Sequence, residues 1–404
     1  MKSLTNKQPL SNEHFYKICI IGGGMTGAIM ALLLKKSTLF DTKDIAWIVP
    51  KIKKQNDLRT TFYNQESIKL LNKLNVWNDL KKNDYTNVKK IKAFGKKGSS
   101  PLVWDNSDNN DHFGAVIKND IMLTSICKKL NDIKKFEAFV TNTTCNDFER
   151  TLYLNNKESI KTNLILAADG KNSKMRELLS IKTIKKKTGH VAISGFLEQS
   201  RCHNFTAIQA FTDLGPIGLL PFGSKNKINF VLSIEENKYK YILSKNNFEQ
   251  YLCQKLENFF SISNLNFKII KKVNNINSNI SCWPLDLNFI MDPTANRAIL
   301  IGDAAHSLHP LAGQGLNLAM RDCVSVINSI EKSLIFGNDL GDGAILKSYK
   351  KHRLSKTITM TAITDFLFYG FTSNSKIAQT MLSKGMETLN KSNLKNIFRN
   401  LAAK

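Results

Sequence analysis

The chain has 404 residues, 42% of them hydrophobic, and 58 Lys and Arg against 33 Asp and Glu give it a formal net charge of +25. That length exceeds what one hydrophobic core usually holds, so two domains are expected. Its seven cysteines are dispersed and form no Cys-x-x-Cys pair, which excludes a disulfide framework or a zinc ribbon and suits a reducing compartment.

Met1–Phe15 is polar and lacks an apolar run, so no signal peptide is expected there. Lys17–Ile21 reads as a short strand, followed by Gly22-Gly-Gly-Met-Thr-Gly27 and the helix-compatible Ala28–Lys36. This is the spacing of a dinucleotide-binding turn. Gly22 permits the tight turn, Gly24 lets the backbone approach a pyrophosphate, and Gly27 lets the helix pack close to the strand. Ile18–Leu34 is also uncharged and near the lower length of a membrane span, but the glycines at its centre favour strand, turn and helix. The next strand, Ile45–Val49, ends in Pro50, where such units usually carry an acid for the ribose about 20 residues on. Asp41 and Asp44 precede that strand and Asp57 lies well beyond it, so the ribose contact has no assigned residue.

Leu164–Ala168 is again strand-like and ends in Asp169-Gly170, with Arg176 in the helix that follows. Between the motifs, Val191–Leu197, Thr206–Phe211 and Lys227–Ile234 are β-like runs separated by glycine and proline turns. Phe211, Phe222 and Trp283 could line an apolar pocket, and large aromatics serve equally often as plain core. Ala298–Ile301 is a buried-strand pattern that ends at Gly302-Asp303, and a helix is expected from about Ala312-Gly313-Gln314-Gly315. Its small residues leave backbone N–H groups uncovered, a setting that holds negative charge. Asp303 stands where it can accept hydrogen bonds from ligand hydroxyls. Asp303, His306 and His309 have a spacing that invites a metal reading, but Pro310 disfavours a helix at His309 and no metal is expected. His352 onward reads as mostly helical. Lys376–Lys404 combines basic and apolar residues that could contact an anionic membrane or pack on the protein itself. The other lysine clusters, Lys51–Lys54 and Lys185–Lys187, are short and poor in aromatics, so no nucleic-acid partner is expected.

Together the motifs resemble those of the class A flavoprotein aromatic hydroxylases, and most closely the ubiquinone-biosynthesis hydroxylases. The likeness rests on Gly22–Gly27, Asp169-Gly170, Gly302-Asp303 and His309-Pro310-Leu-Ala-Gly313-Gln314-Gly315-Leu316-Asn317, in that order, and extends to Asp57–Trp77, Phe211–Phe222 and Trp283–Leu285. It departs at Ala319, where the family usually has glycine. The resemblance implies an α/β fold: a split Rossmann-type FAD-binding domain (1–75, 111–180, 284–350), a β-sheet substrate domain (76–110, 181–283) and a C-terminal helical region (351–404). It implies non-covalent FAD held by Gly22, Gly24, Gly27, Arg59, Asp169, Gly170, Gly302, Asp303, Gly313, Gln314, Gly315, Leu316 and Asn317, with the loop from Pro310 to Gly315 positioning the isoalloxazine. NAD(P)H would visit transiently, and a flavin C4a-hydroperoxide would hydroxylate a polyprenylated phenol. A quinone-biosynthesis complex and an anionic membrane surface are the implied partners, with the protein cytoplasmic or peripheral on the inner face of the membrane. Two alternatives stand beside it, an FAD-dependent reductase of the same fold and, made conceivable by Pro50 and Ala319, a non-catalytic member of such a complex.

Overall fold

The computed structural model describes residues 13–51, 59–95, 100–106, 111–244, 248–261, 266–269, 280–307, 309, 313–372 and 385. One sheet has the order Thr294–Ala295, Ala298–Leu300, Ser159–Ala167, Glu13–Ile21, Ile45–Ile48 and Lys134–Phe136, and all but the first of these strands run parallel. Strands buried on both faces read as continuous apolar runs, which is why Ile18–Ile21 and Ile45–Ile48 show no polar alternation. Successive side chains still point to opposite faces. Ile18 and Ile20 enter a core with the helices Met25–Lys36, Asn119–Cys127 and Gly315–Ile335, while Cys19 and Ile21 enter a second core with Phe136, Leu152 and Met175. Each such fully buried isoleucine contributes about 1.5–3 kcal/mol.

The second large sheet has the order Phe267–Ile269, His190–Gln199, Lys227–Glu235, Gly215–Pro221, Thr206–Thr212, Lys90–Phe94 and Leu102–Asp105, with Ile280–Pro284 also paired to His190–Gln199. Its strands cover the three β-like runs of the sequence and extend each by one to three residues. One face is closed by the helices Glu236–Ser244 and Phe248–Phe259 through Val191, Ile193, Leu232, Leu252 and Leu256. A three-stranded sheet, Thr60–Asn64, Gly114–Lys118 and Tyr85–Val88, stands beside it. Thr60 Oγ1 donates to Asn229 Oδ1 at 2.8 Å and ties the two sheets in a buried contact.

The helix Gly343–Thr372 covers residues 352–372 of the region from His352 read as helical and reaches both large sheets. Tyr349 donates from its hydroxyl to the Leu300 carbonyl at 3.1 Å, and Phe371 stacks on Phe211 with ring centres 3.8 Å apart. Among the described residues no helix is long and apolar enough to cross a membrane. Lys376–Lys404, apart from Gly385, lies outside the described residues.

Candidate cofactor site

Three turns leave the carboxyl ends of adjacent parallel strands. In open parallel sheets this edge is where ligands bind. The first, after Glu13–Ile21, is built on close approach. Gly22 has φ +120°, and a Cβ on it would lie 2.2 Å from the Ala168 carbonyl oxygen. A Cβ on Gly27 would lie 2.1 Å from the Gly22 carbonyl oxygen, whereas one on Gly24 would meet nothing within 4 Å. Gly22 and Gly27 are therefore steric necessities, and Gly24 faces open space where a ligand can reach the backbone. Beneath the turn the Trp47 indole donates to the Gly22 carbonyl at 2.9 Å.

The second turn follows Ser159–Ala167. Ala168 N–H donates to the Ile21 carbonyl at 2.7 Å, which brings the two turns together. Asp169 Oδ2 accepts from Met175 N–H at 3.0 Å, while its buried Oδ1 has no hydrogen-bond partner among the described residues. Buried oxygens of this kind are almost always bonded to something, so Asp169 has capacity for a ligand donor. Gly170 has φ +83°. The buried Arg176 donates to the carbonyls of Lys171 and Ala304 and so links this turn to the third.

In the third turn Gly302 has φ +59°, and a Cβ there would lie 2.9 Å from Thr26 Oγ1 and 3.1 Å from Ala319 Cβ. The helices Met25–Lys36 and Gly315–Ile335 thus pack closely at this point, and Ala319, 2% exposed, lies at the crossing. The turn is held from behind by Asp322. That fully buried carboxylate accepts from Gly302 N–H at 3.0 Å, pairs with His306 Nε2 at 2.7 Å and accepts from Arg353 Nε at 2.6 Å. Burial alone would raise its pKa, but His306, Arg353 and the Gly302 N–H outweigh burial and hold it below the usual carboxylate range. Asp303 itself is exposed, although protein surrounds it closely. That enclosure raises its carboxyl pKa against the opposing pull of His306, Arg59 and Lys171.

The helix Gly315–Ile335 packs against the third turn. Its first internal bond runs from Leu318 N–H to the Gln314 carbonyl at 3.0 Å, and no side chain caps it, so the N–H groups of Gly315, Leu316 and Asn317 have no acceptor within the helix. A Cβ on Gly315 would meet nothing within 4 Å, and Gly313 has φ +61°. Asn317 is buried and its side chain is occupied. Oδ1 accepts from Ser67 Oγ at 2.7 Å and Asn64 N–H at 3.2 Å, and Nδ2 donates to the Phe62 carbonyl at 2.9 Å. Its amide thus braces the helix start against Thr60–Asn64, leaving only its backbone for a ligand. Gln314 is buried, Leu316 packs against the main core, and Pro310 lies outside the described residues.

Other sequence-derived candidates fall as follows. Arg59 is exposed, with its guanidinium 5.9 Å from the Trp283 ring centre. Asp41 and Asp44 form a capping box at the opposite end of the strand Ile45–Ile48, where Asp44 also pairs with Lys17 at 3.1 Å, and Asp57 lies outside the described residues. The three residues considered for a metal do not converge: His306 turns to Asp322, while His309 stacks on Phe368 with ring centres 3.7 Å apart. Sequence reasoning missed the Asp322–His306–Arg353 network, whose only signal was one acid on the buried face of the helix Gly315–Ile335. It also missed the buried Lys118, whose ammonium lies 5.7 Å from the ring centres of both Phe196 and Phe222.

Two exposed-backbone turns, an unpartnered buried carboxylate oxygen, an accessible acid and an uncapped helix start fit a dinucleotide with a flavin ring. The fold is that of a Rossmann-type flavin-binding protein. The chain belongs to the FAD binding domain family, which it matches over residues 16–363. It is 27% identical to the mitochondrial ubiquinone biosynthesis monooxygenase COQ6 of Dictyostelium discoideum, over 98% of this chain and 92% of that protein. It is 23% identical to the human protein of the same name, over 94% and 90%. Among solved structures it shares its fold with p-nitrophenol 4-monooxygenase PnpA from Pseudomonas putida (TM-score 0.73, 13% identity, 96% of this chain and 97% of that one). Klebsiella pneumoniae HpxO complexed with FAD and uric acid has the same fold (TM-score 0.72, 13% identity, 96% of each chain).

Proposed function

We propose that this chain is an NAD(P)H- and FAD-dependent monooxygenase that hydroxylates the aromatic ring of a polyprenylated phenol in ubiquinone biosynthesis. The observation that carries the reading is the meeting of three ligand-accessible turns at one sheet edge, in a chain similar to ubiquinone biosynthesis monooxygenases over nearly its whole length. FAD, when bound, supplies hydride acceptance from NAD(P)H and activation of O2. The chain's own residues bind and orient. The open backbone at Gly24 takes the pyrophosphate, Asp169 accepts a hydrogen bond near it, and Asp303 accepts from ribityl hydroxyls. The uncapped N–H groups of Gly315–Asn317, with the helix dipole behind them, stabilise negative charge on the reduced ring. Arg59 supplies positive charge beside the cofactor. The domain split follows the same logic, with 1–75, 111–180 and 284–350 holding FAD and 76–110 and 181–283 covering the substrate.

A polyprenylated phenol is nearly insoluble in water, so the reading includes a peripheral position on an anionic membrane face, on the cytoplasmic side, and access to other enzymes of quinone biosynthesis. The net charge of +25 supports such attraction. The test supplies purified protein with FAD, NAD(P)H, a short-chain prenyl phenol and isotopically labelled dioxygen. One labelled oxygen atom per product ring is expected. NAD(P)H consumption with a reduced, unlabelled product would overturn the reading in favour of a reductase.

A further inference from the structure

Away from the sheet edge, the helices Gln65–Lys73, Gly315–Ile335 and Gly343–Thr372 enclose a cleft of about 430 Å3. On Gly315–Ile335 it is lined by Arg321, Asn328 and Lys332, spaced seven and four residues apart and therefore on one helix face. On Gly343–Thr372 it is lined by His352, Arg353 and Lys356. Helices that merely pack together meet through apolar stripes. This seam is instead basic and rich in hydroxyls, with Leu70, Met320 and Val324 as its apolar members and Glu66 as its one acid.

The cations are only partly used. Arg321 donates through Nε to Glu66 at 3.2 Å, yet its buried Nη2 has no hydrogen-bond partner among the described residues. Burial depresses the Arg321 guanidinium, Glu66 opposes this, and the like charge of Arg353 adds to the depression. Lys332 and Lys356 are exposed and form no ion pair among the described residues. Like charges gathered around a recess with an unused guanidinium donor are relieved by one ligand class, an anion presenting several acceptor oxygens. A flat bilayer cannot enter a cleft between three helices, whereas a phosphate group can. We propose that this cleft binds a phosphate-bearing anion, either a soluble phosphate ester or a lipid headgroup, at a site separate from the flavin turns.

The experiment uses the full chain loaded with FAD, so that the dinucleotide turn is already filled. Inorganic pyrophosphate is titrated calorimetrically at constant ionic strength into wild type, the double variant Arg321→Gln/Lys356→Gln, and a control with two exposed lysines neutralised elsewhere, Lys128→Gln/Lys225→Gln. Losing two charge-assisted hydrogen bonds should weaken pyrophosphate binding by about a hundredfold in the cleft variant, with the control unchanged and thermal melting of both preserved. Sedimentation with phosphatidylcholine vesicles containing phosphatidic acid separates the sources. Vesicle binding lost in the cleft variant alone assigns a headgroup, and vesicle binding equal to wild type assigns a soluble phosphate ester. Equal pyrophosphate affinity in all three proteins, or equal weakening in cleft and control variants, would overturn the proposal, because general positive charge would then account for binding.

Discussion

At Gly27 and Gly315 the same residue type serves two purposes. A methyl group at Gly27 would collide with the Gly22 carbonyl, so Gly27→Ala should destabilise the fold by about 1–3 kcal/mol, read as a lower urea midpoint without FAD present. At Gly315 there is space, so Gly315→Val should melt like wild type without FAD and bind flavin poorly; a normal flavin content would remove this helix start from the site. His309 makes a third residue-scale case. It is 1% exposed, and burial, with His190 and Lys186 nearby, lowers its pKa from 6.5 to about 4. Asp365, 3.6 Å away, faces it with a carboxyl raised by burial, and the buried Tyr369 hydroxyl lies on the same helix. A His buried neutral leaves stability intact above pH 6.5. As pH falls from 6.5 to 4 the unfolded chain takes up the proton first, so about 3 kcal/mol of stability is lost. Urea titrations should show that loss in wild type and little of it in His309→Gln; identical pH profiles would refute it. The glycines were legible in the sequence because each turn demands a residue without a side chain. His309 was not, since its burial depends on Phe368 and Asp365 more than fifty residues away.

Helices and strands were legible where one local force decides them. The doubly buried strands showed as unbroken apolar runs, and the glycine turn marked the start of Met25–Lys36. What the sequence did not reveal is how helices cross. Ala319, where the family usually has glycine, and Thr26 both close on Gly302, and Asp322 one turn along fixes the same junction through Arg353 on a third helix. Only the folded chain brings these together. Ala319→Val would push on the Gly302 turn and should cost about 1–3 kcal/mol, with weaker FAD binding following from the displaced Asp303. Ala319→Gly should retain FAD. A valine variant with wild-type melting and flavin affinity would show that the crossing has slack.

For the whole molecule, composition and motif order were legible before folding, and both were enough for architecture. The placement of charge was a different matter, because lysines scattered along the chain are gathered only by folding, as at the cleft between three helices. Binding to anionic vesicles should fall steeply as salt rises, since each lysine near such a surface contributes about 1 kcal/mol within a Debye length. Salt-insensitive binding, or equal binding to neutral vesicles, would point to an apolar contact instead.

Trp47 connects the core to the cofactor turn. Its indole is 2% exposed and donates to the carbonyl of Gly22, the first glycine of the turn. Its position makes the protein its own optical probe: tryptophan emission overlaps flavin absorption, so light absorbed in the core can be passed to a bound flavin. Loading FAD should dim the intrinsic fluorescence in proportion to occupancy, and Trp47→Phe should reduce that response while the protein remains yellow.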